Sequence, residues 1–262
     1  MNIIVCIKQV PGTTKVDIDE KTGVLKRDGA DSKMNPYDLF AIETALRLRE
    51  ANGGKISSLT MGPAQSADII REAYALGGDA GYVLSDRAFA GSDVLATSYA
   101  LSEAIKLVGC FDIIICGKQT TDGDTAQVGP EMAEFLNIPH AANVTEIHEV
   151  NDDFIRVTMD MGDYAEVCDI LFPCLITVEK DIYVPRLPSY KKKIAAESRE
   201  IKIITLEDLE DTNRASYGLS GSPTQVERIF PPEANAEKLV LEGDSLSLAA
   251  SLFEKLKELK FV

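Results

Sequence analysis

The chain opens on Asn2-Ile3-Ile4-Val5-Cys6-Ile7-Lys8-Gln9-Val10, a nearly continuous apolar run. Such a run predicts a strand covered on both faces. Val16-Asp17-Ile18-Asp19 and Gly23-Val24-Leu25 then suit a short hairpin. The period changes at Asn35-Pro36-Tyr37-Asp38. Asn is a good helix cap, Pro suits the first helical position, and an aspartate favours the positive helix end. Leu39, Ile42, Ala45, Leu46 and Arg49 follow at helical spacing, and Gly53-Gly54 ends the helix. The unit then repeats. Lys55 to Met61 predicts a strand, Ala64 to Leu76 a helix closed by Gly77-Gly78, and Ala80 to Leu84 a strand. Ser92-Asp93 starts a helix reaching about Val108, Phe111 to Cys116 is a strand, and Val128 to about Asn137 is a helix. Strands joined by such helices predict an α/β fold, with a parallel sheet and right-handed crossovers.

The third quarter has a different pattern. Val144 to Val150, Phe154 to Met161 and Tyr164 to Asp169, separated by Asn-Asp-Asp and Gly-Asp turns, predict an antiparallel meander. Cys174 to Val178 is another buried strand. From Pro185 the chain is Pro-rich and basic, and residues 205–243 show little periodicity. A final amphipathic helix, Ser245 to about Leu259, carries Leu246, Leu248, Leu252, Phe253 and Leu256 on its apolar side. A long arm ending in such a helix is hard to bury on a small core of its own, which points to packing on a partner. The 262 residues exceed the ~150 of an average domain. They divide into an α/β domain over 1–193 and a C-terminal arm over 194–262.

Composition narrows the functions. Acidic residues number 42 and basic ones 27, a net charge of -15, which argues against wrapping nucleic acid. No apolar run is long enough for a membrane span. The first strand has no charged region before it and no cleavage site after it, so it does not read as a signal peptide. Five cysteines without a CxxC pair suit a reducing cytoplasm and packing as small hydrophobes. Cys110/Cys116 and Cys168/Cys174 are each six residues apart, ~20 Å in a strand, too far for a shared metal or a disulfide. His140 and His148, the only histidines, have no ligand pattern around them, and no nucleophile elbow is present. Neither metal nor Ser-His-Asp chemistry is expected.

Three segments could form a site. Gly117-Lys118-Gln119-Thr120-Thr121-Asp122-Gly123-Asp124-Thr125-Ala126-Gln127-Val128-Gly129-Pro130 follows a parallel strand and enters a helix. Open α/β sheets bind ligands at that position, and helix amides there favour phosphate. It is not a Walker loop. Spacing alone allows either a ligand loop or a solvated surface loop, and the topology favours the first. Asn35-Pro36-Tyr37-Asp38 and Met61-Gly62-Pro63-Ala64 occupy equivalent positions, although the first also reads as a simple cap. Cys6 and Lys8 share that edge if the sheet is doubly wound.

Taken together, these segments resemble the beta subunit of electron-transferring flavoproteins, over nearly the whole chain. The matching stretches are Val5-Cys6-Ile7-Lys8-Gln9-Val10, Met34-Asn35-Pro36-Tyr37-Asp38, Met61-Gly62-Pro63-Ala64-Gln65 and Gly117-Lys118-Gln119, completed by Thr121 to Pro130 and Glu179 to Arg186. The resemblance implies a three-layer, doubly wound, mostly parallel sheet of the adenine-nucleotide-binding type. It also implies a heterodimer with a larger alpha subunit that carries the transferring FAD. In the family's housekeeping branch the beta subunit holds AMP, and the loop has three acidic residues followed by Asn-Gln-Thr-Gly. Asp122-Gly123-Asp124-Thr125-Ala126-Gln127 instead resembles the electron-bifurcating branch, whose beta subunit holds a second FAD reducible by NADH.

Carried over residue by residue, the resemblance implies a cofactor cradle of Cys6, Asn35, Pro36, Tyr37, Asp38, Met61 and Gly117. Thr120, Thr121, Asp122, Gly123, Asp124, Thr125, Ala126, Gln127 and Val128 complete it. The cofactor is FAD, or AMP as the alternative. Electrons from NADH would reach ferredoxin or flavodoxin and, through the alpha-subunit FAD, an acyl-CoA or other dehydrogenase. Pro185 to Ile194 falls where the family has its docking loop. Arg186, Leu187, Pro188, Tyr190 and Lys191 would meet the partner there, with Tyr190 as the anchor before Lys191-Lys192-Lys193. The same segment also reads as an ordinary charged surface helix. The shortage of histidine fits, because a bound flavin carries the redox chemistry.

Overall fold

The computed structural model describes residues 1–12, 32–227 and 239–262. The hairpin expected within residues 16–25 lies outside them. The first half contains β1 (Asn2–Cys6), β2 (Gln9–Pro11), β3 (Ser32–Met34), α1 (Pro36–Asn52), β4 (Lys55–Met61), α2 (Ala67–Leu76), β5 (Ala80–Leu84), α3 (Val94–Val108), β6 (Ile113–Gly117) and α4 (Val128–Leu136). The second half contains β7 (His140–Val150), β8 (Phe154–Asp160), β9 (Ala165–Leu171), β10 (Cys174–Val178), α5 (Tyr190–Ala196), β11 (Lys202–Ile204), α6 (Gly218–Gly221) and α7 (Ser245–Glu258). One nine-stranded sheet runs β11-β5-β4-β1-β6-β10-β7-β8-β9, and β2 and β3 form a separate antiparallel pair. The strands from β11 to β7 are parallel. β7, β8 and β9 form the expected antiparallel meander.

Alternate residues of one strand face opposite sides of a sheet. Ile3, Val5, Ile113 and Ile115 pack with Ile42 and Leu46 of α1 and Ile70 of α2. Ile4, Cys6, Ile114 and Cys116 pack with Ala104 and Ile105 of α3 and Met132 of α4. Burial on both faces makes the central strands apolar at every position. The chain winds from β1 through α1 to β4 and through α2 to β5, then returns through α3 to β6 on the other side of β1. That reversal makes the carboxyl ends of β1 and β6 the topological switch point of the sheet.

The structure departs from the sequence expectations in three places. The first strand ends at Cys6 because Lys8 leaves the ladder: its nitrogen donates to Asp38 and its carbonyl accepts from the Asn35 nitrogen. β7 begins at His140, four residues before the expected Val144, because its first residues pair with β10. Residues 194–222, expected to open the arm, contribute to the α/β body. β11 pairs with β5, and Leu206, Leu209 and Tyr217 are buried in the core. A three-residue strand and isolated apolar side chains leave no period to read, whereas an open sheet edge supplies them with partners. α7, by contrast, buries no residue. No helix among the described residues is long and apolar enough to cross a membrane.

Candidate functional site

The carboxyl end of β1, the start of α1 and the loop after β6 meet at the switch point. Asn35 precedes α1 and is fully buried. Its Nδ2 donates to Asp38 Oδ1 at 2.9 Å and to the Gln119 carbonyl at 2.9 Å, and its Oδ1 accepts from the Thr121 nitrogen at 3.3 Å. It therefore anchors the β6 loop to the helix start. Asp38 also accepts from the Lys8 nitrogen at 2.7 Å. Burial is the strongest influence on its carboxyl and outweighs the bonds from Asn35, Lys8 and Gly117, raising its pKa to about 7.

On the solvent side the Lys8 ammonium reaches Asp122 Oδ1 at 2.7 Å and bridges β1 to the loop. Burial pushes the Asp122 carboxyl up, but the bond and charge of Lys8 prevail and hold it below its usual range. Gln119 Nε2 bonds to Asp124 Oδ1, and the Asp124 nitrogen bonds to the Thr120 carbonyl at 3.0 Å. Asp124 and Ala126 adopt φ of 55° and 56°. That region is uncommon for a residue with a Cβ and costs roughly 1 kcal/mol or more. Lys118 pairs with Glu179 just beyond β10, and this bond raises its ammonium above the usual pKa.

Two glycines differ in what surrounds them. A Cβ on Gly117 would stand 2.6 Å from Asp38 Oδ1 and 2.8 Å from the Tyr37 backbone carbon. Gly117 therefore allows β6 to touch the start of α1. A Cβ on Gly123 would meet only Thr120 Oγ1, at 3.4 Å, so this stretch of the loop is open. Cys6 and Cys116 sit in register on β1 and β6. Their mutual hydrogen bond, then burial, raises the Cys116 thiol well above its usual pKa, the state of packed thiols and not of nucleophiles. Cys110, expected to pack, is exposed.

Of the expected cradle, Asn35, Pro36, Tyr37, Asp38, Gly117 and the loop from Thr120 to Val128 come together. Cys6 brings its main chain to the same rim while its side chain packs under α3 and α4. Met61 ends β4, one strand away, and packs into that same core. Lys8, Gln119, Lys118 and Glu179 also stand on the rim. The carried-over cradle left them out, although all four lie within the segments quoted from the sequence. Arg186, Leu187, Pro188, Tyr190 and Lys191 lie elsewhere, on the strap after β10 and at the start of α5. A concavity lined by Arg49, Tyr74, Asp79 and Arg199 lies at the amino end of β5, the edge opposite the rim.

The rim's donors suit a phosphate group. Among the described residues no acceptor faces the amides of Gly123, Thr125, Ala126 and Gln127, and α4 starts at the next residue, Val128. Free amides leading into a helix start suit a phosphate chain, and Lys8 and Lys118 add cations beside it. The sequence profile of the "Electron transfer flavoprotein domain" family matches residues 22–209.

The chain belongs to the electron transfer flavoprotein family. It is 43% identical over 257 residues to the "Electron transfer flavoprotein subunit beta" of Thermoanaerobacterium thermosaccharolyticum, covering 98% of both chains. It is 42% identical over 260 residues to the "Caffeyl-CoA reductase-Etf complex subunit CarD" of Acetobacterium woodii, again covering 98% of both. A "Protein FixA" of Azorhizobium caulinodans is 40% identical over 247 residues, 92% of this chain and 88% of the relative. In this electron transfer flavoprotein chain, the family match includes α1, β6 and the loop after it.

Proposed function

We propose that this chain is the beta subunit of an electron-bifurcating electron transfer flavoprotein, and that the rim between β1 and β6 holds FAD. The loop Thr120–Gln127 carries the reading. It is tied down by Asn35 and Lys8, leaves its later amides free, and has Asp122-Gly123-Asp124 where the AMP-holding pattern has three acidic residues. The near-full-length likeness to a subunit named for a caffeyl-CoA reductase complex supports it. When bound, FAD would take a hydride from NADH and supply single electrons to ferredoxin or flavodoxin and, through an alpha-subunit FAD, to an acyl-CoA or other dehydrogenase.

This chain's own residues bind and orient. The amides of Gly123, Thr125, Ala126 and Gln127 and the start of α4 receive phosphate. Asn35 and Lys8 hold the loop in place. The exposed apolar residues of α7 cover a face of the alpha subunit, as an amphipathic helix that buries no residue against the described part of its own chain requires. Leu187, Tyr190 and Lys191 meet the dehydrogenase. The complex works in the cytoplasm, which suits five free cysteines. The test is to co-express the chain with its alpha subunit, release the nucleotides and count them. Two FAD per heterodimer are expected. One FAD with one AMP would falsify the bifurcating reading and leave a scaffold subunit.

A further inference from the structure

Between β10 and α5 the strap from Val184 to Ser189 has neither ladder nor helix. It ends beside Leu187 and Tyr190, 90% and 79% exposed. A segment of this kind should wander, yet it is held: the Ser189 nitrogen at its end donates to the Ala75 carbonyl at 3.3 Å, and one side chain pins its middle. The Arg186 backbone nitrogen and Nε donate to Glu43 Oε2 at 3.1 and 2.8 Å, and Nη2 donates to Glu43 Oε1 at 3.1 Å. Nη1 and Nη2 also donate to Glu50 at 2.6 and 3.2 Å. Glu43 is buried in α1, where burial would raise its carboxyl. The bonds from Arg186 and Arg47 more than offset this and hold it below the usual range. Arg47 donates to Glu43 Oε1 at 2.9 Å, and its guanidinium stands 4.4 Å from the ring of Tyr183, just before the strap.

The Arg186 fork is thus spent inside the chain, with four of its five N–H groups engaged, which leaves little to offer a partner. Its anchor is on α1, the helix whose first turn holds Asp38. The strap and the rim are therefore referred to one rigid element.

We propose that Arg186 is a positioning residue: its pairing with Glu43 holds the Leu187–Tyr190 segment in the shape that a dehydrogenase docks on, without touching that partner. The inference rests on the docking reading given above. It revises the expectation that Arg186 itself meets the partner.

The test uses the heterodimer with its alpha subunit and a purified acyl-CoA dehydrogenase as probe. Arg186→Gln should speed amide exchange over residues 184–190 about tenfold. It should also raise the KM for the dehydrogenase about tenfold, with kcat and nucleotide content near those of the parent. Arg186→Lys keeps the charge but loses the fork and should fall between the two. Because Arg186→Gln leaves Glu43 buried without its main partner, a Glu43→Gln/Arg186→Gln double variant, which removes both charges, should fold and show the same release. Tyr190→Ala should raise the KM while leaving exchange over the strap unchanged. Unchanged exchange in the Arg186 variants overturns the inference. So does faster exchange with an unchanged KM when Tyr190→Ala raises it. If Tyr190→Ala leaves the KM unchanged, the docking reading fails instead.

Discussion

The main-chain nitrogen of Lys8, just past β1, donates to Oδ2 of Asp38, in the first turn of α1, across 2.7 Å. The bond takes the chain out of the sheet and closes the switch point onto a buried carboxyl. Thirty residues separate the partners, and the Lys8 side chain continues the contact to Asp122 on the loop after β6. A buried acid, a strand end and a ligand-side loop therefore share one connection.

Asp38 should make stability depend on pH. Its pKa is raised by burial from 3.8 to about 7, so between those values the folded chain holds a proton that the unfolded chain releases. Its contribution is complete below about pH 4 and is lost as pH rises through about 7. Asp38→Asn cannot titrate there. The stability of the parent relative to Asp38→Asn should fall with rising pH across this window, by up to roughly 4 kcal/mol. Thermal or denaturant unfolding at several pH values measures it, and a constant difference would remove Asp38 from this role.

Gly117 and Gly123 should respond oppositely to a methyl group. Gly117→Ala drives a Cβ to 2.8 Å from the Tyr37 backbone, which cannot yield as a side chain tip does. A loss of about 1–3 kcal/mol and weaker nucleotide retention are expected. Gly123→Ala meets only Thr120 Oγ1, at 3.4 Å, and should stay within about 0.5 kcal/mol of the parent. Melting temperatures of the pair decide, and equal costs would contradict the packing described here.

Lys8→Ala should cost little stability, under about 1 kcal/mol, because the pair with Asp122 is partly exposed. The loss should shrink further in 1 M salt. Freed from Lys8, Asp122 should titrate at higher pH, and the loop should release nucleotide faster. Stopped-flow release from the heterodimer at low and high salt would show this. A release rate insensitive to Lys8→Ala would count against the bridge as a loop anchor.

Removing residues 244–262 should leave the α/β body folded, since α7 buries nothing. The melting temperature of the isolated chain should be nearly unchanged, while co-purification with the alpha subunit should be lost or strongly weakened. A large drop in melting temperature instead would mean that the helix stabilises its own chain.

Much of the architecture is legible along the chain, for a simple reason. Ile3-Ile4-Val5 and Ile113-Ile114-Ile115 are apolar at each position because both faces of their strands are covered. The glycines after α1 and α2 mark helix ends by local backbone geometry alone. The rim segments are legible for the same reason, since each is a short stretch between a strand and a helix. The link from Lys8 to Asp38 is not, nor is that from Asn35 to Gln119, 84 residues away. Polar side chains this far apart carry no period, and the chain must fold before they meet. Arg186 shows how the two levels differ. As a sequence it is a basic residue beside an exposed tyrosine, and only the packing of the strap on α1 reveals a buried carboxylate beneath it.

The sequence by itself therefore determined the alternation of strands and helices, the meander, the family and the segments that reach one sheet edge, because these follow from local periodicity and short motifs. Tertiary structure alone decided where β1 stops, that residues 202–204 add a strand at the sheet edge, which thiols are neighbours, and which charges are buried. Those outcomes depend on contacts between residues far apart in the chain, where burial and hydrogen bonding are set by what happens to pack alongside.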